Sequence, residues 1–172
     1  MSTSAEQVQL RAVGYADPLA QELIERVQQE YVVRYGGRDD AVVDPAQFSP
    51  PRGRFLIAEV DGVPAGCGGW RVHGDGVVEL KRMYVEPAFR RRGIAALLLA
   101  ELERSAAAAG HRHLLLNSGD RQPEALALYA RTGYAAVPGY GMYADAEDAV
   151  FLGKDLVEHL PTAGGAAGAW AS

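Results

Sequence analysis

The residues best suited to chemistry form one short run, Pro87-Ala88-Phe89-Arg90-Arg91-Arg92-Gly93-Ile94-Ala95. Three arginines and a glycine stand just ahead of a stretch whose apolar residues recur at helical spacing. The first turn of a helix leaves its backbone N–H groups without intrahelical partners, and the helix dipole places about half a positive charge there. Glycine lets an anion approach the backbone closely, and arginine adds charge-assisted hydrogen bonds. Such a turn is suited to a phosphate. The same residues also describe a solvated arginine cluster ahead of an ordinary helix, so the flanking elements must decide.

Other routes to phosphate or metal chemistry are not supported. No G-x-x-x-x-G-K-[ST] run occurs, and Gly66-Cys67-Gly68-Gly69 lacks both the G-x-G-x-x-G spacing and a following helix. His111 and His113 bracket one residue at the start of a strand, and two histidines without a third ligand read as surface residues, so no metal is expected. The single cysteine, Cys67, excludes an internal disulfide and suits a reducing cytoplasm.

The elements that must position the turn follow from periodicity and punctuation. Val8 to Val13 alternates as a half-buried strand does, and Asp17-Pro18 opens a helix that runs to about Tyr35 and stops at Gly36-Gly37. Residues 38 to 53, acidic and proline-rich, are expected as an irregular connection able to shape a substrate site. Phe55 to Val60 and Val63 to Val72 are strands joined by Asp61-Gly62, a tight hairpin turn. A turn around Gly74-Asp75-Gly76 leads to a third strand, Val77 to Val85, which delivers the chain to the arginines. A helix from Gly93 to Ala109, a strand from His113 to Leu116 and a helix from Pro123 to Arg131 follow. Tyr134 to Val137 and Val150 to Lys154 read as two last strands. The order predicts an α+β fold, a mixed and mostly antiparallel sheet with helices on both faces.

Composition bounds what such a domain can do. The 172 residues suit one domain, expected over 1–160, with a glycine- and alanine-rich, poorly ordered tail over 161–172. A net charge of -5 gives no general attraction to nucleic acid or to an anionic membrane. No run of about 18 apolar residues is present to span a bilayer, and a cytoplasmic location is expected.

Set after the strand ending Met83-Tyr84-Val85, Arg90-x-x-Gly93-x-Ala95 resembles the pyrophosphate signature of the GNAT N-acetyltransferases, [QR]-x-x-G-x-[GA]. The resemblance continues through Glu124-Ala125-Leu126-Ala127-Leu128-Tyr129-Ala130-Arg131-Thr132-Gly133-Tyr134 and covers about residues 54 to 156. Glu79 to Val85 and Gln122-Pro123-Glu124-Ala125 are further similar to a group of small bacterial members. The resemblance implies acetyl-CoA as cosubstrate. Its pyrophosphate would lie on Arg90, Arg91, Arg92, Gly93, Ile94 and Ala95, and its pantetheine arm would pair with the backbone of Met83, Tyr84 and Val85. The chain departs from the pattern at Gln122, where the family often has asparagine; Asn117 lies earlier.

The resemblance also implies catalytic roles. Tyr129 matches the family's general acid, and a phenol with an ordinary pKa of about 10 stays protonated at neutral pH. Its other reading is packing against the sheet, one helical turn from Ala125. Glu79 matches the position of a general base acting directly or through water; it could equally form an ion pair with Lys81. Arg34, Tyr35, Phe48, Arg54, Trp70 and Tyr140 are candidates for the acceptor pocket. The implied activity is acetylation of a small-molecule primary amine. Two alternatives stand beside it: a protein lysine or amino-terminal acetyltransferase drawing a basic peptide to Asp39, Asp40 and Asp44, and a non-catalytic acyl-CoA-binding module. The last strand, Val150 to Lys154, offers an edge through which a homodimer could form.

Overall fold

The computed structural model describes residues 7–156 and resolves ten main elements. They are β1 (Val8–Val13), α1 (Pro18–Tyr35), β2 (Gly53–Val60), β3 (Val63–Gly74), β4 (Val77–Val85), α2 (Ile94–Ala108), β5 (His113–Gly119), α3 (Pro123–Arg131), β6 (Ala135–Ala136) and β7 (Ala149–Asp155). The strands form one seven-stranded sheet in the order β1-β2-β3-β4-β5-β7-β6. Pairings β1–β2, β2–β3, β5–β7 and β6–β7 are antiparallel and β4–β5 is parallel, which gives the expected mixed α+β architecture. Packing divides the described chain into two compact units, residues 7–71 with 81–102 and residues 72–80 with 103–156. No helix among the described residues is long and apolar enough to cross a membrane. The expected tail over 161–172 lies outside them.

In the first unit, α1 begins where the sequence places it because the Asp17 carboxylate accepts the N–H groups of Leu19 (2.9 Å) and Ala20 (3.3 Å). It ends at Gly36, whose φ of 79° closes the left-handed cap. Leu23, Ile24 and Val27 of this helix join Tyr15, Phe48, Phe55, Ile57 and Tyr84 in the core. The 38–53 connection is less irregular than expected. Asp44 and Gln47 form a capping box around a short 3-10 turn, Pro45–Phe48, which delivers Phe48 into the core against Tyr15 (ring centroids 4.7 Å apart). The glycine run in β3 is likewise a packing device. A Cβ on Gly66 would lie 2.5 Å from Tyr84 O, and one on Gly68 would lie 2.4 Å from Met83 Sδ. At Gly66, where the facing atom is backbone, only glycine admits the end of β4 this closely.

In the second unit, β5 is buried through Leu114, Leu115 and Leu116 and pairs along its whole length with β7, from His113↔Asp155 to Gly119↔Ala149. The parallel ladder with β4 runs from Val77↔His113 to Glu79↔Leu115. The strand expected over Tyr134 to Val137 shortens to Ala135–Ala136, because Tyr134 turns into the unit's interior and donates its hydroxyl to Glu103 at 2.8 Å. Strand β7, read from sequence as an edge, instead lies between β5 and β6.

Candidate active site

The arginine turn owes its shape to two left-handed residues, Arg91 (φ 65°) and Gly93 (φ 77°). They wrap the backbone ahead of α2, whose Leu97 N–H reaches back to Gly93 O at 3.1 Å. The N–H groups of the preceding first turn therefore lack intrahelical acceptors. A Cβ on Gly93 would meet no protein atom within 4 Å, so the space over the turn is open to a ligand. The three arginines divide their work. Arg90 donates Nε–H to Val85 O (2.9 Å), pairs with Glu30 of α1 and lies 5.9 Å from the Tyr84 ring centre, so its guanidinium braces the turn. Arg92 lies 5.4 Å from the Phe89 ring centre. Arg91 is exposed and makes no ion pair or hydrogen bond among the described residues. An open glycine cradle beside an uncommitted guanidinium fits a diphosphate.

Beside this turn, within the same unit, is a groove of about 440 Å³ lined by residues of α1, including Arg26, Glu30, Val33 and Arg34, together with Tyr84 and Pro87. Its charges are largely matched, since Arg26 pairs with Glu22 (2.7 Å) and Glu86, and Glu30 pairs with Arg90. Burial, reinforced by Glu86 and Glu30, pushes the Tyr84 phenol up to about 12, so it is neutral. Of the residues proposed from sequence for an acceptor pocket, Arg34 lines this groove. Phe48 and Trp70 are buried in packing, Arg54 lies 4.0 Å from Glu101, and Tyr140 packs edge-on between His73 and Phe151.

Both candidate catalytic side chains belong to the second unit and both are buried. Glu79, 7% exposed, stands at the last rung of the β4–β5 ladder, opposite Leu115. Lys81, the ion-pair partner in the alternative reading of Glu79, lies 2.9 Å from Asp39 Oδ2. Tyr129 is 5% exposed, and its ring meets Tyr134 edge-on at 5.5 Å. Its hydroxyl has no hydrogen-bond partner among the described residues, and burial raises its pKa well above the ordinary phenol value. Tyr134 is itself held by Glu103, which also accepts Lys154 Nζ at 2.9 Å. The two histidines do not form a pair: His113 contacts Asp155 across the β5–β7 ladder, and burial lowers the pKa of His111.

Two arrangements were not anticipated from sequence, the Glu103–Tyr134–Lys154 cluster and an Asp39–Lys81–Arg82 cluster around the buried Arg82. A signal for the second was present, since Glu79, Lys81 and Arg82 place three charges in a strand between apolar neighbours.

Comparison with known proteins shows which family the sequence and fold resemble. The acetyltransferase (GNAT) family model matches residues 14–134. An IAA acetyltransferase from Azospirillum brasilense is 33% identical over 136 residues, covering 78% of this chain and 89% of that protein. The crystal structure of a protein assigned as an acyl-CoA N-acyltransferase, from Klebsiella pneumoniae, matches with a TM-score of 0.74 at 27% identity, over 87% of this chain and 98% of that one. The PaiA N-acetyltransferase from Thermoplasma acidophilum, solved in complex with coenzyme A, shares the fold at a TM-score of 0.66 and 18% identity, over 87% of this chain and 99% of that one.

Proposed function

The chain belongs to the acetyltransferase (GNAT) family and is an acyltransferase enzyme, and from that premise we propose that it transfers an acetyl group from acetyl-CoA to the primary amine of a small molecule by direct attack. The observation that carries the reading is the turn ahead of α2, where left-handed Arg91 and Gly93, an open space over Gly93 and an Arg91 side chain with no partner among the described residues would offer a diphosphate both backbone and side-chain donors.

Bound acetyl-CoA supplies an acyl group activated as a thioester. Glu79 takes the proton that the amine must lose as its nitrogen bonds to the carbonyl carbon. A backbone N–H near Tyr84 stabilises the negative charge that develops on the carbonyl oxygen. Tyr129 donates its proton to the sulfur as the carbon–sulfur bond breaks. Its raised pKa keeps that proton in place over the working pH range. Among the described residues no group competes with the sulfur for this hydroxyl.

A small acceptor is favoured over a basic peptide because the acidic loop is already occupied. Asp39 is committed to Lys81 and Arg82, and Asp44 caps the Ala46 N–H at 3.0 Å. Thiol release from acetyl-CoA, followed across amino acids, polyamines, aminoglycosides, arylamines and lysine peptides, tests this. Turnover confined to one small-amine class is the expected result. Turnover with lysine peptides alone would overturn the acceptor assignment, and silence with acetyl-CoA binding intact would favour a binding module.

A further inference from the structure

Lys81 and Arg82 are consecutive in β4, and consecutive side chains of a regular strand point to opposite faces. Both nevertheless reach a single oxygen: Lys81 Nζ lies 2.9 Å and Arg82 Nη1 2.6 Å from Asp39 Oδ2. The alternation is broken at Arg82, whose φ of 63° is left-handed and strained for a residue with a side chain, as in a bulge. The cluster is withdrawn from water, with side-chain exposures of 3% for Arg82 and 14% for Asp39. Arg82 is braced further by its Nε–H to Tyr15 Oη and by the Cys67 S–H donated to its carbonyl, both at 3.3 Å.

Asp39 is fastened from the other side as well. Its N–H donates to Gln28 Oε1 (2.8 Å), its carbonyl accepts from Gln28 Nε2 (3.3 Å), and its Oδ1 accepts the Ala41 N–H (3.0 Å). Gln28 is a buried residue of α1. One carboxylate therefore joins α1, the 38–53 connection and β4. Beyond Arg82, the Tyr84–Val85 backbone lies against Gly66 of β3 and is closed by Glu86 N–H to Ala65 O at 2.7 Å. Its placement is set by the bulge at one end and by this bond at the other.

We propose that Asp39 is a positioning residue for acyl transfer: by neutralising two adjacent buried cations it pins the bulge at Arg82 and so aims the Met83–Val85 backbone at the acyl donor. The inference rests on the acetyl-CoA reading given above. Asp39 touches neither substrate nor the reacting atoms in this role; it acts through Arg82.

The test is Asp39→Asn in the full chain, alone and combined with Arg82→Gly. Asparagine keeps the shape and removes the charge, and glycine adopts a positive φ without strain, so it restores the bulge without the ion pair. Asp39→Asn is expected to raise the KM for acetyl-CoA about ten- to a hundredfold, and the double variant to recover most of that loss. A lowered Tm with unchanged KM would overturn the proposal, because that is what a merely structural anchor does. Arg82→Val against Arg82→Gly repeats the comparison with Asp39 intact, should Asp39→Asn fail to fold. β-Branched valine resists positive φ, and equal KM values for the pair would overturn the bulge's role. Amide exchange at Tyr84 and Val85 in the free protein separates this inference from the donor reading. Faster exchange in Asp39→Asn, slowed again by Arg82→Gly, supports pinning even in a protein that binds no CoA; unchanged exchange overturns it.

Discussion

The Arg90–Ala95 turn and the end of α3 meet opposite demands. In the proposed reaction the turn works through backbone N–H donors; its Arg91, Arg92 and Gly93 are exposed, two left-handed residues set its shape, and Arg90 braces it. Tyr129, whose side-chain hydroxyl is the working group in the same proposal, is buried and flanked by Tyr134, which Glu103 and Lys154 hold in place. The first kind of site is specified by local geometry and the second by tertiary support. Damage should therefore show in different constants: donor affinity for the turn, and the rate of the chemical step for the tyrosine.

The sharpest separation is expected from Tyr129→Phe. Loss of a positioned general acid lowers kcat by about 10²- to 10⁴-fold, with the KM for acetyl-CoA little changed, as steady-state kinetics would show. The pH profile tests the same assignment. Because burial raises the Tyr129 pKa, the proton-bearing form persists to higher pH than in an exposed phenol. No fall in kcat below about pH 10 should trace to it. A descending limb in that range that disappears in Tyr129→Phe would show that the hydroxyl titrates without the raised pKa its burial gives.

A smaller effect, on the other constant, is expected at the turn. Valine at position 93 must adopt a φ of 77° that suits only glycine well. That strain of about 1–2 kcal/mol raises the KM for acetyl-CoA roughly five- to thirtyfold while leaving kcat at saturation nearly unchanged. An equal fall in kcat would mean that the turn also takes part in the chemical step. Smallest is Tyr134→Phe, which deletes the hydroxyl bond to Glu103 while Lys154 keeps that carboxylate paired. A loss of about 1–2 kcal/mol in denaturant unfolding is expected, with only a modest change in kcat. A fall as deep as that of Tyr129→Phe would show that the aromatic pair works as one group.

The same contrast explains what could be read from sequence. The hairpin at Asp61-Gly62, the capped start of α1 and the arginine turn were legible because local residue types set local backbone geometry. The Asp39 cluster was not, since its members are 42 and 43 residues apart and meet only after the sheet forms. Lys81 was an alternative partner for Glu79 because a regular strand would place them on one face; the left-handed backbone at Arg82 and the arrival of Asp39 give it another partner. Tyr134 was read as strand because its aromatic character suits one, but burial with Glu103 outweighed that preference. Strand β7 gained its outer neighbour from only two residues of β6, a pairing too short to leave a pattern.

Cys67 is the sole cysteine; it is fully buried, and burial raises its thiol pKa, leaving almost no reactive thiolate in the native protein. A thiol-specific dye added to a working assay would then report released coenzyme against a silent background. Added instead during denaturation, the same dye would gain one equivalent per opened chain, giving the protein an internal gauge of its own unfolded fraction.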